Sequence, residues 1–242
     1  MKDIIAFWGY PRIDLIESTK KAYPKAVWVD LDINYNYPDL KFIPDNYCVI
    51  IKNIYNNALY LKDRIIKILA PTGKDKCDSA YFISHILSDM GFLVEKSVFE
   101  DKCPDIANLK LPISKSNLPL KNKIELITKN IYERKDYSYL EEVKPSFGFW
   151  GVPPNDLDIL DIFPDNTWVY GWSRAVEAQY PGDWEIETYT DDIPTVFFTQ
   201  SFCSKTTVAK YLANKTGGLL IDIDNIPTNS AKAKIEAFIK LR

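Results

Sequence analysis

The chain has 242 residues, 46% of them hydrophobic, with 30 Lys and Arg against 33 Asp and Glu. At roughly 150 residues per domain that is one large domain or two small ones, able to bury roughly 70% of its unfolded surface without disulfide or metal. The near-balanced charge argues against a general phosphate-backbone binder, and no apolar run reaches the ~18–20 residues of a membrane span, so neither a nucleic-acid nor a membrane partner is expected.

The run Ile4-Ile5-Ala6-Phe7-Trp8 is short, apolar and closed by Gly9, and reads as a buried strand. Gly9 lets the chain turn sharply. Pro11 suits a first helical turn, Asp14 favours the helix dipole there, and Ile13, Leu15, Ile16 and Ala22 supply the apolar face. Ala26-Val27-Trp28-Val29 is the next strand. Tyr47-Cys48-Val49-Ile50-Ile51 reads as a buried strand with Cys48 in the core, and residues 57–66 as a helix. Ile68-Leu69-Ala70 is a strand stopped by Pro71-Thr72-Gly73. Asp78 or Ser79 caps a helix whose apolar positions are Phe82, Ile83, Ile86, Leu87 and Met90. Its His85 reads as a partly buried structural histidine. Gly91 ends that helix, and Phe92-Leu93-Val94 returns as a strand. Strands alternating with helices mean parallel βαβ units.

Residues 102–145, with Pro104, Pro112, Pro119 and Pro145, read as a connecting segment with one helix around Ile124, Ile127 and Ile131. In the remainder, Tyr180 to Trp184 is a turn and Glu185 to Thr190 alternates like an edge strand. Thr195 to Phe198 is a buried strand, 204–215 a helix stopped by Gly217-Gly218, and Leu219 to Asp224 a strand. Ser230 caps a last helix using Ile235, Phe238 and Ile239.

Cys48, Cys77, Cys103 and Cys203 form no CxxC pair, and His85 is the one histidine. A zinc or iron–sulfur cage needs closely spaced thiolates or imidazoles, so no metal site is expected from them. Residues 1–30 carry Asp3, Asp14 and Glu17 and no secretory pattern. Together these features suit a reducing, cytoplasmic setting. No cofactor follows from them.

The chain repeats itself. Phe7-Trp8-Gly9-Tyr10-Pro11-Arg12-Ile13-Asp14-Leu15 and Phe149-Trp150-Gly151-Val152-Pro153-Pro154-Asn155-Asp156-Leu157 share the pattern FWGxPxxDL, 142 residues apart. Tyr23 to Val29 matches Phe163 to Val169 at an offset of 140. A period this long points to duplication of a supersecondary unit rather than to a solenoid. The shared motif is either a well-built strand-to-helix turn or the lining of a pocket at the carboxyl end of a strand, where open α/β sheets bind ligands.

Three stretches resemble known families. Tyr23 to Asp30, Tyr47 to Gly73 and Met90 to Val94 resemble a class I S-adenosylmethionine methyltransferase. That resemblance implies that Asp30 holds ribose hydroxyls, although the first strand here ends in Phe7-Trp8-Gly9-Tyr10-Pro11 instead of a glycine-rich acidic loop. Thr199 to Leu212 resembles the strand–loop–helix of a small P-loop kinase. There Lys205 and Thr206 match its lysine and hydroxyl, while Thr199 and Ser204 stand where it has glycines. Asp30-Leu31-Asp32 and Asp222-Ile223-Asp224 are similar to the DxD pairs of nucleotide-sugar glycosyltransferases and haloacid dehalogenase-type phosphatases, which share a divalent ion. They read equally as acids solvating strand ends.

The expectation is therefore an α/β protein of two tandem, pseudo-duplicated Rossmann-like halves with mostly parallel sheets: 1–101, then the connection 102–145, then 146–242. The expected activity is binding of a polar, nucleotide-like small molecule at strand carboxyl ends, as in a transferase. The ligand-binding candidates are Trp8, Gly9, Asp30, Asp32, Trp150, Gly151, Lys205 and Thr206. The rival expectation is a non-catalytic interaction protein, since Tyr35-Asn36-Tyr37-Pro38 and Tyr137-Ser138-Tyr139 place aromatics outside the periodic elements.

Overall fold

The computed structural model describes residues 2–73, 77–98, 105–224 and 227–242. Cys103, Pro104 and the expected boundary at 101/102 lie outside the described residues. The chain divides into two compact units, 1–100 and 101–242.

In the first unit β1 (Ile4–Phe7), β2 (Val27–Asp30), β3 (Ile65–Pro71) and β4 (Val94–Ser97) form a parallel sheet in the order β2-β1-β3-β4. Between them run α1 (Ile13–Ala22), α2 (Val49–Tyr60) and α3 (Asp78–Asp89). One core packs Ile4, Ala6, Trp8, Leu31, Ile68 and Ala70 of the sheet side against Ile51, Ile54 and Ala58 of α2 and Ile83 and Leu87 of α3.

The second unit opens with α4 (Leu120–Glu133). Its sheet takes β5 (Gly148–Gly151), β6 (Trp168–Tyr170), β7 (Thr195–Gln200) and β8 (Leu219–Ile223) in the order β6-β5-β7-β8, again all parallel. Its other helices are α5 (Gly171–Glu177), α6 (Trp184–Thr188), α7 (Lys205–Thr216) and α8 (Asn229–Lys240). The chain thus folds as two Rossmann-like halves with one shared strand order. The helix α4, inside the segment read as a connection, packs on α5 and β6 of the second unit. No helix among the described residues is long and apolar enough to cross a membrane.

Several elements differ from their sequence reading. Residues 49–51 are the start of α2, not a strand, and the helix expected over 57–66 ends at Tyr60. A four-residue apolar run cannot distinguish the two states. What hid the helix is that its Asn53, Asn56 and Asn57 are buried, so its inner face does not look apolar. Residues 184–188 are α6, not an edge strand. Asp183 caps it, accepting from the N–H groups of Glu185 and Ile186 at 3.0 and 3.1 Å. Thr228, not Ser230, caps α8. Pro11 lies outside α1, which starts at Ile13. On α3, Phe82 points to solvent while Ala80, Ile83, Ser84 and Leu87 form the buried stripe. His85 is exposed, and its Nε2 lies 2.7 Å from Lys96 Nζ.

The two Trp–Gly corners occupy equivalent places. Phe7 stands opposite Asp30 and Leu69 on its two neighbours, and Phe149 opposite Val169 and Val196. After the corner, though, the first copy enters α1 and the second enters a 3-10 turn, Leu157–Ile162. The second sequence match is not a structural one. Trp28 stands opposite Ile5, but Trp168 stands opposite Gly148, one residue beyond the counterpart of Ile5. A one-residue slip sends a side chain to the other face. Accordingly the Trp28 ring lies 6.1 Å from Phe7 with Lys20 of α1 over it, whereas Trp168 packs against the core of Trp150, Tyr170 and Phe197.

Candidate functional site

With strand order 2-1-3-4, successive connections leave the first strand in opposite directions. The crevice of such a sheet lies at its carboxyl edge, by the loops that follow the first and third strands.

In the first unit that edge is tied to itself. Gly9, at φ 55°, turns the chain, and its N–H donates to Asp32 Oδ2 at 2.6 Å. The N–H of Asp32 donates to Asp30 Oδ1 at 3.0 Å. Each carboxylate thus accepts from a backbone N–H of this corner. From α2, Asn57 Nδ2 donates to the carbonyls of Leu31 and Ile33 at 2.9 and 2.7 Å, and Asn53 Nδ2 to that of Asp32 at 2.9 Å. Asn56 Oδ1 accepts from Leu40 N–H at 3.3 Å. These amides hold a long irregular loop, 31–48, whose Tyr35, Tyr37, Leu40 and Phe42 are exposed. Tyr37 stacks on Tyr60 at 4.7 Å and Phe42 on Tyr55 at 4.7 Å. Trp8 itself is 1% exposed, inside the core, and its Nε1–H has no hydrogen-bond partner among the described residues.

In the second unit Trp150 is likewise 1% exposed, but its Nε1–H donates to the Glu187 carbonyl at 2.6 Å. Both indoles are buried at the ends of their strands. Gly151 is required by close approach, since a Cβ there would overlap the Phe198 carbonyl oxygen. Lys205, the first residue of α7, pairs with the Glu187 carboxylate, whose Oε1 also accepts from Gly182 N–H at 3.1 Å. Thr206 Oγ1 donates to the Gln200 carbonyl at 3.4 Å, and its N–H to the Cys203 carbonyl at 3.1 Å. The lysine and hydroxyl matched to a P-loop are thus engaged within the protein. Glu187 brings Trp150, Lys205 and Gly182 together.

Beside this group Arg174 is buried. It donates to the carbonyls of Ile186 and Tyr189 and lies over the rings of Tyr170 and Tyr189 at 4.8 and 5.3 Å. Burial lowers its pKa to about 10. Asp191 accepts from both phenols, Tyr170 at 2.7 Å and Tyr189 at 2.9 Å. Burial first, then Asp191, pushes the Tyr170 phenol well above its ordinary range.

Sequence reading missed Gln200. It ends β7, is 1% exposed, and neither its Oε1 nor its Nε2 has a hydrogen-bond partner among the described residues. Buried polar groups are nearly always paired. The signal available in the sequence is a lone amide closing the apolar run Thr195-Val196-Phe197-Phe198-Thr199, next to the turn. No protein-family model matches this chain, and no curated protein matches it in sequence.

Proposed function

We propose that the second unit binds a polar small molecule at the carboxyl edge of its sheet, by the ends of β5 and β7. The observation that supports this is the Gln200 amide, shut away from water with donor and acceptor both unused. Leaving such a group unpaired costs roughly 1–3 kcal/mol, a cost that a ligand would relieve. It stands at the edge where parallel sheets of this order take their ligands. In this reading Gly151 lets the end of β5 close on β7, Trp150 anchors the opposite face of that corner, and Lys205 and Thr206 hold the α7 turn. A reducing, cytoplasmic setting belongs to the same reading, on the spacing of the four cysteines, none of which forms a CxxC pair.

A second reading has its own observation. The loop 31–48 exposes Tyr35, Tyr37 and Phe42 yet is held by buried asparagines, an arrangement suited to a preformed partner surface.

One experiment separates the two. Protein purified from its own host is taken into native mass spectrometry beside a Gln200→Leu variant. The binding reading expects a small mass on the wild type that the variant lacks. A stoichiometric second polypeptide with no small molecule favours the partner surface, and a bare chain in both samples removes the binding reading.

A further inference from the structure

We infer that the group recognised by Gln200 is neutral and planar, with a hydrogen-bond acceptor beside a donor, as in a carboxamide or a nucleobase edge, and is not a phosphate. This rests on the binding reading above and narrows it to a class of ligand.

The face on which Gln200 lies follows from strand alternation. Phe197 packs on Ala209, Leu212 and Ala213 of α7. Phe198 points the other way and stacks on Phe149 at 6.0 Å. Gln200, two residues on from Phe198, shares the Phe198 face. Its neighbour across the sheet is Ile223 of β8. The backbone beside it bonds within itself: the Gln200 carbonyl accepts from Cys203 N–H and Thr206 Oγ1, and the Ile223 carbonyl from Ser201 N–H. The side chain therefore keeps two N–H donors and a carbonyl without partners among the described residues. Its complement must supply an acceptor and a donor side by side. Carboxamides and the edges of nucleobases do so, and a phosphate offers acceptors alone.

The charges at this edge point the same way. They lie on the other face of the sheet: Lys205 pairs with Glu187, whose carbonyl accepts from Trp150 on the Phe197 side, and Arg174 lies over Tyr170 there, donating through one Nη to the Ile186 and Tyr189 carbonyls while its Nε has no partner among the described residues. At the end of β8 the exposed Asp222 accepts from the hydroxyls of Thr199 and Ser201 at 3.3 and 3.2 Å. Asp222, the register partner of Thr199, is on that other face as well, so an anion at Gln200 would find no counter-charge supplied by these groups. A neutral amide needs none.

The test uses the full chain and its Gln200→Met variant, with thermal shift and titration as readouts. The probes are nicotinamide, as a free carboxamide; uracil and adenine, as bases; the 5′-monophosphates of uridine and adenosine; and inorganic phosphate. The variant is expected to melt at or above the wild-type temperature, because it discards an unpaired amide. At least one neutral probe is expected to stabilise the wild type and to bind Gln200→Met about tenfold more weakly or worse, the loss of one amide pair. Nicotinamide alone among the probes would place the site among carboxamide binders, and a base alone among nucleobase binders; both support the inference. A 5′-monophosphate binding tighter than its base, a shift with inorganic phosphate, equal affinity of the variant, or a variant that melts several degrees lower each overturns it. No shift with any neutral probe also overturns the class. In that case the mass retained by protein from its own host decides whether the binding reading survives.

Discussion

Lys123 shows how far one side chain in this molecule departs from its usual behaviour. It is buried on α4, and its Nζ donates to the Asp165 and Thr167 carbonyls at 2.8 and 2.6 Å. Burial lowers its pKa to about 8 from 10.5, with Asp165 and Glu177 opposing the shift. Between those values the folded chain holds fewer protons than the unfolded one, so stability rises with pH there. The cost of burying the ammonium is present in full below pH 8 and fades as the amine turns neutral. Raised phenols such as Tyr170 work in the opposite sense above about pH 10, where the unfolded chain loses its proton first. Urea midpoints are therefore expected to climb from pH 8 to about pH 10, and Lys123→Met to flatten that climb. A wild-type midpoint that falls across this window contradicts the assignment. The neighbouring Glu177 carboxylate, pushed up by burial, accepts from the N–H groups of Ile113 and Ser114. Both groups look like surface charges in the sequence. Only the carbonyls and N–H groups brought to them by the fold explain why they are inside.

At the scale of an element, two glycines with nearly the same backbone separate conformational strain from crowding. Gly171 has φ +69° and Gly217 φ +68°. A Cβ on Gly217 would meet nothing within 4 Å, but on Gly171 it would lie 3.0 Å from Gly151 N and from the Trp150 ring. Gly217→Ala is thus expected to cost about 1–2 kcal/mol from the left-handed backbone alone. Gly171→Ala should lose a further ~1–3 kcal/mol from overpacking. Equal losses in denaturant titrations would mean that the Trp150 corner yields easily. The same corner explains which elements could be read in advance. The strands Ile4–Phe7 and Thr195–Gln200 are continuous apolar runs bounded by turn residues, and they appear where periodicity puts them. The α2 helix defeated periodicity because Asn53, Asn56 and Asn57 earn their burial from a loop distant in the chain. The cap on α6 was legible and overlooked: Asp183 followed by Glu185 and Glu187 is a helix start in acid-rich form.

At the scale of the molecule, each unit has a sheet and a core drawn from its own residues. Residues 1–100 produced alone are expected to show a single cooperative thermal transition by far-UV circular dichroism. A gradual, non-cooperative melt would show that this core is completed by the rest of the chain. Duplication was readable because Phe7-Trp8-Gly9 and Phe149-Trp150-Gly151 meet one physical demand twice: a buried strand that must turn at its carboxyl end. That demand acts along the chain, so the sequence by itself determined the two parallel units and the place of their corners. The fate of the candidate side chains depended on partners far away in sequence. Asp32 was claimed by Gly9, Lys205 by Glu187 and Trp150 by the Glu187 carbonyl. Among the described residues, Gln200 was left with none. Pairing of a polar group is settled by which donors and acceptors share its surroundings, and only the tertiary structure decides that.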